Sequence, residues 1–546
     1  MNQSLTSLMV TPATTINEIL TTFVDSQNDL LLIDENSVVA DPHMELLTDY
    51  PRSASAALVA AEKNGDTLVR QNRIASASSA THKVTIGNRK FVGVLRLSQK
   101  QRSEIISTLE SAAQNKVRGN ALDLVLVALT RAMIKVDAAD VWAAPYIRSA
   151  NKDERRKTQE EIANLNLGRV RLSMANRAND GFFSVFFLRK FSKILTWVAV
   201  KVGATPNQVT LISFAIGLYS AYCFSQGTFW SIFLGAILLQ LSIIVDCVDG
   251  ELARYTRKFS QLGAWLDAVT DRVKEYMVFM GLAIGAEKEG RDLWIPAIVM
   301  MLIQTFRHLS DYNYARTARF RAEEKFVAPV EFTADFDGII PTEREPKGRL
   351  RYWLGKIIQF PIGERWLVIS ASAVIGGAAF TFTAMPVLAF ISAVVVFRGR
   401  FIRTLQMPKV STGKSLIPRQ SDLLGLQRSI SKRFDWLEPS ILRLIEGGFL
   451  IWIFASVDKI NVATFMILFS IMFHHYDNLY RALQDEKKPE WLSALGLFVG
   501  GRILILGVAA LQDWPLYYFA WYFSILFLVV SSMQWVLSHR ANKIGR

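Results

Sequence analysis

The sequence predicts an α-helical polytopic membrane protein, with about ten transmembrane helices and an N-terminal soluble α/β domain. Two observations predict this fold class. Long apolar runs are concentrated between residues 208 and 538, whereas residues 1–180 have the mixed composition of a water-soluble protein. No apolar run in residues 1–150 reaches the roughly 18 residues that a membrane span needs. The pattern excludes a wholly soluble enzyme and also a bare membrane channel.

The first 150 residues alternate strand-like and helix-like patterns, which is typical of an α/β domain. Leu30–Ile33 is rich in β-forming residues, and Lys83–Leu97 is expected to form two strands. Residues 99–114 and 120–134 have the periodicity of helices. We therefore expect residues 1–150 to form a separate soluble domain.

The segment that joins this domain to the apolar region has two parts. Residues 151–180 are strongly charged at first and are interpreted as a linker or an exposed helix. Phe182–Val202 then interleaves aromatic and aliphatic residues with basic ones, which are Arg189, Lys190, Lys193 and Lys201. This pattern favours an amphipathic helix lying on an anionic membrane surface. A surface helix of the soluble domain is the alternative.

Ten apolar segments long enough to span a membrane follow. They occupy about residues 208–226, 229–254, 261–285, 292–313, 365–382, 384–402, 441–458, 461–477, 490–511 and 515–537. The first six, with the interfacial helix, form a predicted core over residues 181–405, and a turn around Thr383 is expected between the fifth and the sixth. The last four form a C-terminal module, residues 441–546.

The basic residues predict the orientation. Nine Lys and Arg lie between Arg398 and Arg433 against one acid, Asp422, so the loop 406–440 is expected to be cytoplasmic. With ten spans, both termini share that side, and a multi-pass plasma-membrane protein is predicted. The net charge of +14 is interpreted as membrane anchoring, and no nucleic acid is expected as a partner.

One stretch, IIVDCVDGELARYTRKFSQLGAWLDAVTD, carries four spaced aspartates across the second and third apolar segments. Asp246 and Asp249 are three residues apart, and Asp267 and Asp271 are four apart, so each pair shares a helix face. An antiparallel hairpin can bring all four carboxylates together. Acids near a bilayer are costly, and Mg²⁺ or Mn²⁺ bound by carboxylates removes that cost.

Two such ions, about 3.5–4 Å apart, would clamp a diphosphate for in-line displacement at phosphorus. Gly250 and Gly263 would let a nucleotide approach the backbone closely, and Arg254 would contact a phosphate. The alternative is a set of acids paired with nearby basic side chains at a helix end. That alternative does not explain two glycines and an alanine at fixed spacing.

The spacing of these residues resembles the defining motif of the CDP-alcohol phosphotransferase family, whose membrane core has six helices. The matching residues are Asp246, Asp249, Gly250, Ala253, Arg254, Gly263, Asp267 and Asp271. The sequence TPNQVT at residues 205–210 also resembles the family's TPN-x-x-T segment. The resemblance covers about residues 180–402.

This resemblance implies a role for each residue of the motif. The four aspartates would bind two divalent metals, Mg²⁺ or Mn²⁺, and Asp271 would also take the proton of the acceptor hydroxyl. Gly250, Ala253, Arg254 and Gly263 would line the CDP pocket. A phosphodiester would form and CMP would leave.

Residues 179–182 (NDGF) and 189–192 (RKFS) resemble the joining segment of fused inositol-phosphate cytidylyltransferase/di-myo-inositol-phosphate-phosphate synthases. The expected partners are therefore a CDP-linked donor, a hydroxyl or phosphoalcohol acceptor that is inositol-phosphate-like, and membrane lipids. A phospholipid synthase that uses CDP-diacylglycerol is the alternative, and a transporter or a membrane scaffold is an alternative of another class. A homodimer is left open.

The N-terminal domain resembles a nucleotidyltransferase in residues 30–47, LLLIDENSVVADPHMELL. Such enzymes cradle a triphosphate in a Gly-rich loop near the N-terminus, but the first glycine here is Gly65. We therefore expect this domain to be degenerate and non-catalytic. Asp34 is interpreted as a solvated turn residue rather than as a remnant of a metal site.

Three arginines, Arg316, Arg319 and Arg365, are candidates for binding a phosphate of the acceptor, and each is equally well explained as a cytoplasmic anchor. The C-terminal module resembles an uncharacterised module found in actinobacterial proteins. Its adjacent His474 and His475 are expected to serve in interfacial anchoring or helix packing rather than as a metal site or a proton relay.

Overall fold

The computed structural model describes residues 5–48, 54–70, 72–115, 117–176, 180–325, 349–406, 434, 436–483 and 488–544. The chain forms two compact units. The first contains the described residues up to 176 together with Ala253–Arg257, and the second contains the remainder. Most of the predicted loop 406–440 lies outside the described residues.

The first unit contains a mixed β-sheet, which confirms the predicted α/β character. Its strands are β1 (Thr6–Val10), β2 (Leu30–Asp34), β3 (Ser37–Val39), β4 (Ser55–Ala61), β5 (Thr67–Arg70), β6 (Arg73–Ala77), β7 (Arg89–Leu97), β8 (Val136–Asp140) and β9 (Tyr146–Arg148). Seven of them form a sheet in the order β1-β2-β7-β4-β8-β6-β5, and β3 pairs with β9. The pairs β1–β2 and β4–β8 are parallel, and the other registered pairs are antiparallel.

Six helices accompany this sheet. They are α1 (Ile16–Asp25), α2 (Asp41–Thr48), α3 (Arg102–Gln114), α4 (Ala121–Arg131), α5 (Lys152–Ala163) and α6 (Leu167–Met174). Phe23, Ile105 and Leu122, on three of these helices, are buried in one apolar core with strand residues such as Val59 and Leu95. The charged segment after residue 150 is thus largely helical.

Two expectations for this unit are wrong. Residues 83–88 form no strand, and Lys83–Leu97 contributes only β7. The Asn88 side chain, just before β7, bonds both the N–H and the C=O of Val69 on β5. Asp34 is not solvated: its side chain is 2% exposed. Arg148 Nε and Nη2 donate to Asp34 Oδ2 at 2.9 and 2.6 Å, and Asn120 donates to the same oxygen at 3.0 Å.

The second unit is helical. Its helices are α7 (Arg189–Lys201), α8 (Pro206–Phe224), α9 (Phe229–Thr256), α10 (Gln261–Lys288), α11 (Trp294–Lys325), α12 (Arg349–Ile358), α13 (Ile362–Gln406), α14 (Glu438–Ser456), α15 (Val462–Leu483), α16 (Glu490–Leu495), α17 (Phe498–Leu511), α18 (Leu516–Ser524) and α19 (Ser531–Ile544). A π-helical turn, Ser184–Leu188, precedes α7, and another, Ile525–Val530, joins α18 to α19.

Each of the ten predicted apolar segments lies in one or more of these helices. Within the described residues, five helical stretches are long and apolar enough to cross a membrane: Phe229–Thr256, Ile362–Gln406, Glu438–Ser456, Glu490–Leu511 and Leu516–His539. This confirms a multi-pass helical membrane protein. Ten transmembrane helices remain a prediction; α10, for example, carries five charged residues between 267 and 275.

The predicted turn around Thr383 is wrong. The label α13 covers two helices, and Thr383 and Pro386 both lie within the second of them. The helical geometry is instead interrupted at Gly376 and Gly377, and Gly377 has a φ of 69°. Glycine adopts this left-handed conformation without the steric cost that a side chain would add. The helical path is therefore interrupted at Gly376 and Gly377 rather than at Thr383.

Candidate active site

The start of α8 is fixed by its capping residues. Thr205 Oγ1 accepts a hydrogen bond from the backbone N–H of Gln208, and Gln208 Oε1 accepts one from the backbone N–H of Thr205 at 2.9 Å. Pro206 occupies the first helical turn, where its missing N–H costs nothing. Thr210, one turn further, donates through Oγ1 to Asp249 Oδ2 at 2.5 Å. The TPNQVT segment thus caps a helix and holds one aspartate of the motif.

Three of the four predicted metal-binding aspartates lie together. Asp246 on α9 and Asp267 and Asp271 on α10 each contribute a carboxylate oxygen to a group whose members all lie within 4.8 Å of one another. All three side chains are half-buried. The predicted helical hairpin therefore brings carboxylates from both helices to one place, which we call the carboxylate group.

Asp249 lies outside this group of three. It is 6% exposed, and one oxygen is occupied by Thr210. Since it follows Asp246 by three residues on α9, it lies on the same side of that helix. The acids that lie within 4.8 Å of one another are therefore three of the predicted four.

Lys274, which the motif does not include, lies beside the carboxylate group. Its Nζ is 2.7 Å from Asp246 Oδ1 and 3.1 Å from Asp271 Oδ1, and the side chain is fully buried. Ser213 Oγ accepts a further bond from Nζ at 2.9 Å. A Cβ on Gly217 would lie 2.6 Å from Lys274 Cδ, so that glycine makes room for the lysine stem. A lysine three residues after Asp271, which a helix places on the same face as that aspartate, was the available sequence signal.

Gly263, a predicted CDP-pocket residue, lies in the first turn of α10. Ser260 caps this helix, and its Oγ accepts a bond from the backbone N–H of Gly263 at 2.8 Å. A Cβ at Gly263 would lie 2.9 Å from Asn207 Oδ1 and 2.8 Å from Ser260 Oγ, so a side chain there would crowd both. Glycine at this position thus lets the side chain of Asn207, which belongs to the TPNQVT segment, lie where it does.

The other predicted CDP-pocket residues lie along the last two turns of α9. Gly250 and Ala253 are partly buried. Arg254 Nε donates to the backbone carbonyl of Ala175 at 2.5 Å. The guanidinium of Arg254 is thus engaged with a carbonyl oxygen in this structure.

Glu251, between Gly250 and Ala253, anchors helix α7. Ser192 and Thr196 donate hydroxyl bonds of 2.7 Å to its two oxygens, and Arg189 Nη1 donates at 2.8 Å. Arg189 also bonds Asp180 and is 7% exposed, so its predicted role as a membrane anchor is wrong. The opposite face of α7 exposes Ile194 and Trp197. An exposed apolar face of this kind fits the amphipathic character that was predicted for the segment.

The three candidate acceptor arginines have different surroundings. Arg365 is 3% exposed and its Nε donates to Glu275 Oε1 at 3.0 Å, so it is not a surface anchor. Arg316 Nη1 donates to the carbonyl of Ala482 at 3.4 Å. Arg319 lies in α11, but its side chain is outside the described part of the structure.

His474 and His475 are both buried, so of the two uses expected for them packing applies and interfacial anchoring does not. His475 Nε2 lies 2.8 Å from Glu446 Oε2, and the His474 ring stacks on Phe527 with centroids 4.1 Å apart. Arg502 donates twice to Glu446 Oε1. His474 and His475 thus belong to the internal packing of the C-terminal module, and His475 also belongs to its polar network.

The chemistry of the carboxylate group suits a hard divalent cation. It offers only oxygen ligands, from three carboxylates on two helices, and such sets favour Mg²⁺ or Mn²⁺ over zinc. One ammonium, from Lys274, offsets part of the negative charge. The residues present therefore fit at least one divalent ion.

Comparisons with known proteins place this site in a family. The sequence profile of the CDP-alcohol phosphatidyltransferase family matches residues 203–340, which include every residue of the motif. Phosphatidylinositol phosphate synthase from Cutibacterium acnes is 30% identical over 145 residues, which are 26% of this chain and 67% of that protein. The chain belongs to the CDP-alcohol phosphatidyltransferase family.

Other relatives of this CDP-alcohol phosphatidyltransferase family member have the names of bifunctional proteins. Bifunctional IPC transferase and DIPP synthase from Archaeoglobus fulgidus is 35% identical over 127 residues, 23% of this chain and 25% of that protein. The protein of the same name from Thermococcus kodakarensis is 38% identical over 146 residues, 27% of this chain and 32% of that protein. The chain thus matches only about a quarter to a third of the length of these bifunctional relatives.

A second profile covers the C-terminal part. Residues 423–544 match a family of unknown function (DUF5941). This match confirms that the predicted four-helix module resembles an uncharacterised one. The CDP-alcohol phosphatidyltransferase domain and this module are therefore distinct units of sequence in one chain.

Proposed function

We propose that the protein transfers a phosphoalcohol from a CDP-linked donor to an acceptor hydroxyl at the cytoplasmic face of the plasma membrane, releasing CMP. The observation that carries this proposal is the carboxylate group of Asp246, Asp267 and Asp271, built from two helices of the family domain. Both termini are proposed to be cytoplasmic, following the distribution of basic residues.

Bound divalent ions, two as the family resemblance implies, would hold the donor diphosphate and neutralise charge as it develops at phosphorus. The four aspartates would be their ligands, with Asp249 supported by Thr210. Gly250, Ala253, Arg254 and Gly263 would line the nucleotide pocket. In that role Gly263 keeps the start of α10 close to Asn207.

Asp271 would act as the base. It takes the proton of the acceptor hydroxyl, whose oxygen forms a bond to the phosphorus that carries the donor alcohol. The bond from that phosphorus to the bridging oxygen breaks, and this oxygen leaves with CMP. Positioning supplies most of the effect, because a carboxylate beside cations is a weak base.

The acceptor class is proposed to be an inositol phosphate or a similar polar phosphoalcohol. The relative from Cutibacterium acnes is named for phosphatidylinositol phosphate, and residues 179–182 and 189–192 resemble the joining segment of synthases that act on inositol phosphate. The Cutibacterium acnes relative favours a second candidate, in which the donor is CDP-diacylglycerol and the product is a phospholipid. The two candidates share one acceptor class and differ in the donor.

The test is to incubate the purified full chain with Mg²⁺, inositol phosphate and either CDP-inositol or CDP-diacylglycerol. CMP release and the product mass are then followed by mass spectrometry. We expect CMP and a product that contains the donor alcohol joined through a phosphodiester. The proposal would be contradicted if no CMP were released with either of these donors or with other CDP-alcohols.

A further inference from the structure

Helix α10 has two opposite faces that meet different neighbours. At about 100° per residue, Asp267, Asp271 and Lys274 project from one side of an α-helix, and Trp265 and Arg272 project from the other. The first face carries the carboxylate group and its lysine. The second face contacts the C-terminal module, whose role is otherwise unassigned.

The contact at Trp265 is a directional polar one. Trp265 Nε1 donates to Asp477 Oδ1 at 3.1 Å, and both side chains are almost completely buried. The other oxygen of Asp477 accepts bonds from Arg481 Nε at 2.9 Å and from Ser531 Oγ at 2.7 Å. The Asp477 carboxylate is thus held by its own module on one side and by α10 on the other.

Aromatic packing adds to this contact. The indole rings of Trp265 and Trp535 stack with centroids 5.3 Å apart and an interplanar angle of 15°. Trp535 lies on α19, and Asp477 lies on α15. Helices α15 and α19 of the C-terminal module therefore both contact Trp265, which lies two residues before Asp267.

Arg272, which directly follows Asp271, is held on the same face of α10. Its guanidinium carbon lies 5.8 Å from the centre of the Tyr476 ring, next to Asp477 in the module. Arg272 Nη1 also lies 2.9 Å from Glu275 Oε2 and 2.6 Å from His308 Nε2. The two motif aspartates of α10 are therefore each flanked by a residue that touches the C-terminal module.

Apolar packing alone would tolerate a small rotation of α10 about its axis, but a buried N–H···carboxylate bond would not. A buried acceptor that loses its donor costs about 1–3 kcal/mol, so the pair resists any turn that separates Trp265 from Asp477. A turn of α10 would move Asp267 and Asp271 away from Asp246 on α9. The contact is thus coupled to the geometry of the carboxylate group.

We infer that the C-terminal module positions helix α10, with Trp265 and Asp477 as the positioning residues that set the alignment of Asp267 and Asp271 for metal binding. This inference rests on the proposed function, because it concerns the same carboxylate group. It gives the module a role in the assembly of the site rather than a separate activity.

The test uses Trp265→Phe, which keeps an aromatic ring but loses the donor, and Asp477→Leu, which keeps a similar size but loses the acceptor, both in the full-length protein. The readout is Mn²⁺ affinity, measured by electron paramagnetic resonance of free Mn²⁺ in a titration without donor or acceptor. We expect each variant to bind Mn²⁺ about tenfold more weakly, the lower end of the effect of losing a residue that orients a metal ligand. The double variant should be no weaker than the weaker single variant.

Ser470→Ala is the matched control, because Ser470 lies on α15 and its hydroxyl bonds Ser524 within the same module at 2.9 Å. Its Mn²⁺ affinity should equal that of the wild type. Affinities within twofold of the wild type in both test variants, or an equal loss in Ser470→Ala, would overturn the inference. If Trp265→Phe does not fold, Ser531→Ala replaces it and should also weaken Mn²⁺ binding; an unchanged affinity there counts against the inference.

The same titration separates this inference from the proposed function. A wild-type chain that binds no Mn²⁺ contradicts the proposed metal site itself. A wild-type chain that binds Mn²⁺, with variants that bind equally well, contradicts only the positioning role of the module.

Discussion

Lys274 changes the charge of the carboxylate group, because its ammonium lies within 3.1 Å of both Asp246 and Asp271. Buried carboxylates repel one another unless a cation lies between them. The lysine supplies a permanent countercharge on the buried side of the group. A divalent ion would supply the rest.

We predict that Lys274→Met makes the protein more dependent on a divalent ion for its stability. Without the ammonium, Asp246 and Asp271 lack their nearest countercharge, so a bound ion contributes more to the folded state. The measurement is the unfolding temperature with and without Mn²⁺. The rise caused by Mn²⁺ should exceed that of the wild type, by about 2–4 °C for each added kcal/mol.

Lys288→Met, at the exposed end of the same helix, is the control and should respond to Mn²⁺ as the wild type does. An identical Mn²⁺ response in Lys274→Met and the wild type would show that the lysine does not influence the metal site.

A second prediction separates base from ligand. Asp271→Asn keeps the size of the side chain and one oxygen ligand but loses the proton acceptor. We expect donor affinity within a few-fold of the wild type and turnover that is roughly 10²–10⁴ times slower, the range for a lost general base. Calorimetry of donor binding and single-turnover CMP release measure the two effects. If donor binding fails together with turnover, Asp271 serves mainly as a ligand.

Helix α10 depends at its start on a close approach to α8. A Cβ at Gly263 would lie within 3 Å of Asn207 Oδ1 and Ser260 Oγ, so both side chains would have to shift to accommodate it. We predict that Gly263→Ala weakens donor binding and costs about 1–3 kcal/mol of stability, the usual range for overpacking. Binding calorimetry and thermal unfolding test this.

Gly448→Ala, on α14, is the control for that substitution, because among the described residues, apart from its chain neighbours and the backbone of its own helix, no atom lies within 4 Å of the position that its Cβ would take. Its stability should equal or exceed that of the wild type, since alanine favours a helix over glycine. Equal behaviour of the two alanine variants would contradict the account of Gly263.

Local sequence patterns predicted most helices of the second, helical unit. Apolar length predicted the positions of the helices, and the spacing of Asp246, Asp267 and Asp271 predicted their meeting. The break at Gly376–Gly377 was missed, because Pro386 and the threonines near Thr383 carry equal or stronger local turn signals. Pro386 is nevertheless accommodated inside α13.

Contacts between distant parts of the chain could not be predicted from the sequence. Trp265 and Asp477 are 212 residues apart, and no local pattern couples them. Glu251 likewise gave no signal of its own, although its partners Ser192 and Thr196 follow Arg189 at helical spacing on α7. Both contacts arise from the tertiary packing of helices, which periodicity does not encode.

At the scale of the whole molecule, the N-terminal unit is predicted to make no CDP-linked donor. Arg148 and Asn120 donate hydrogen bonds to the carboxylate of Asp34, the acid in the nucleotidyltransferase-like segment. The sequence before Gly65 contains no Gly-rich loop. With CTP and a phosphorylated alcohol, the full chain should release no pyrophosphate above background. Metal-dependent pyrophosphate release that is lost in Asp34→Ala would contradict this expectation.

The most direct test of the central claim is the metal dependence of CMP release. The full chain, with the CDP-linked donor that reacts best and its acceptor, is assayed with Mg²⁺, after rigorous chelation with EDTA and after Mn²⁺ is restored. Asp267→Ala is assayed in parallel, because it removes one of the three carboxylates that lie together. We predict CMP release with Mg²⁺ or Mn²⁺, none after chelation and none from Asp267→Ala. Turnover that survives chelation, or that persists in Asp267→Ala, would contradict the account.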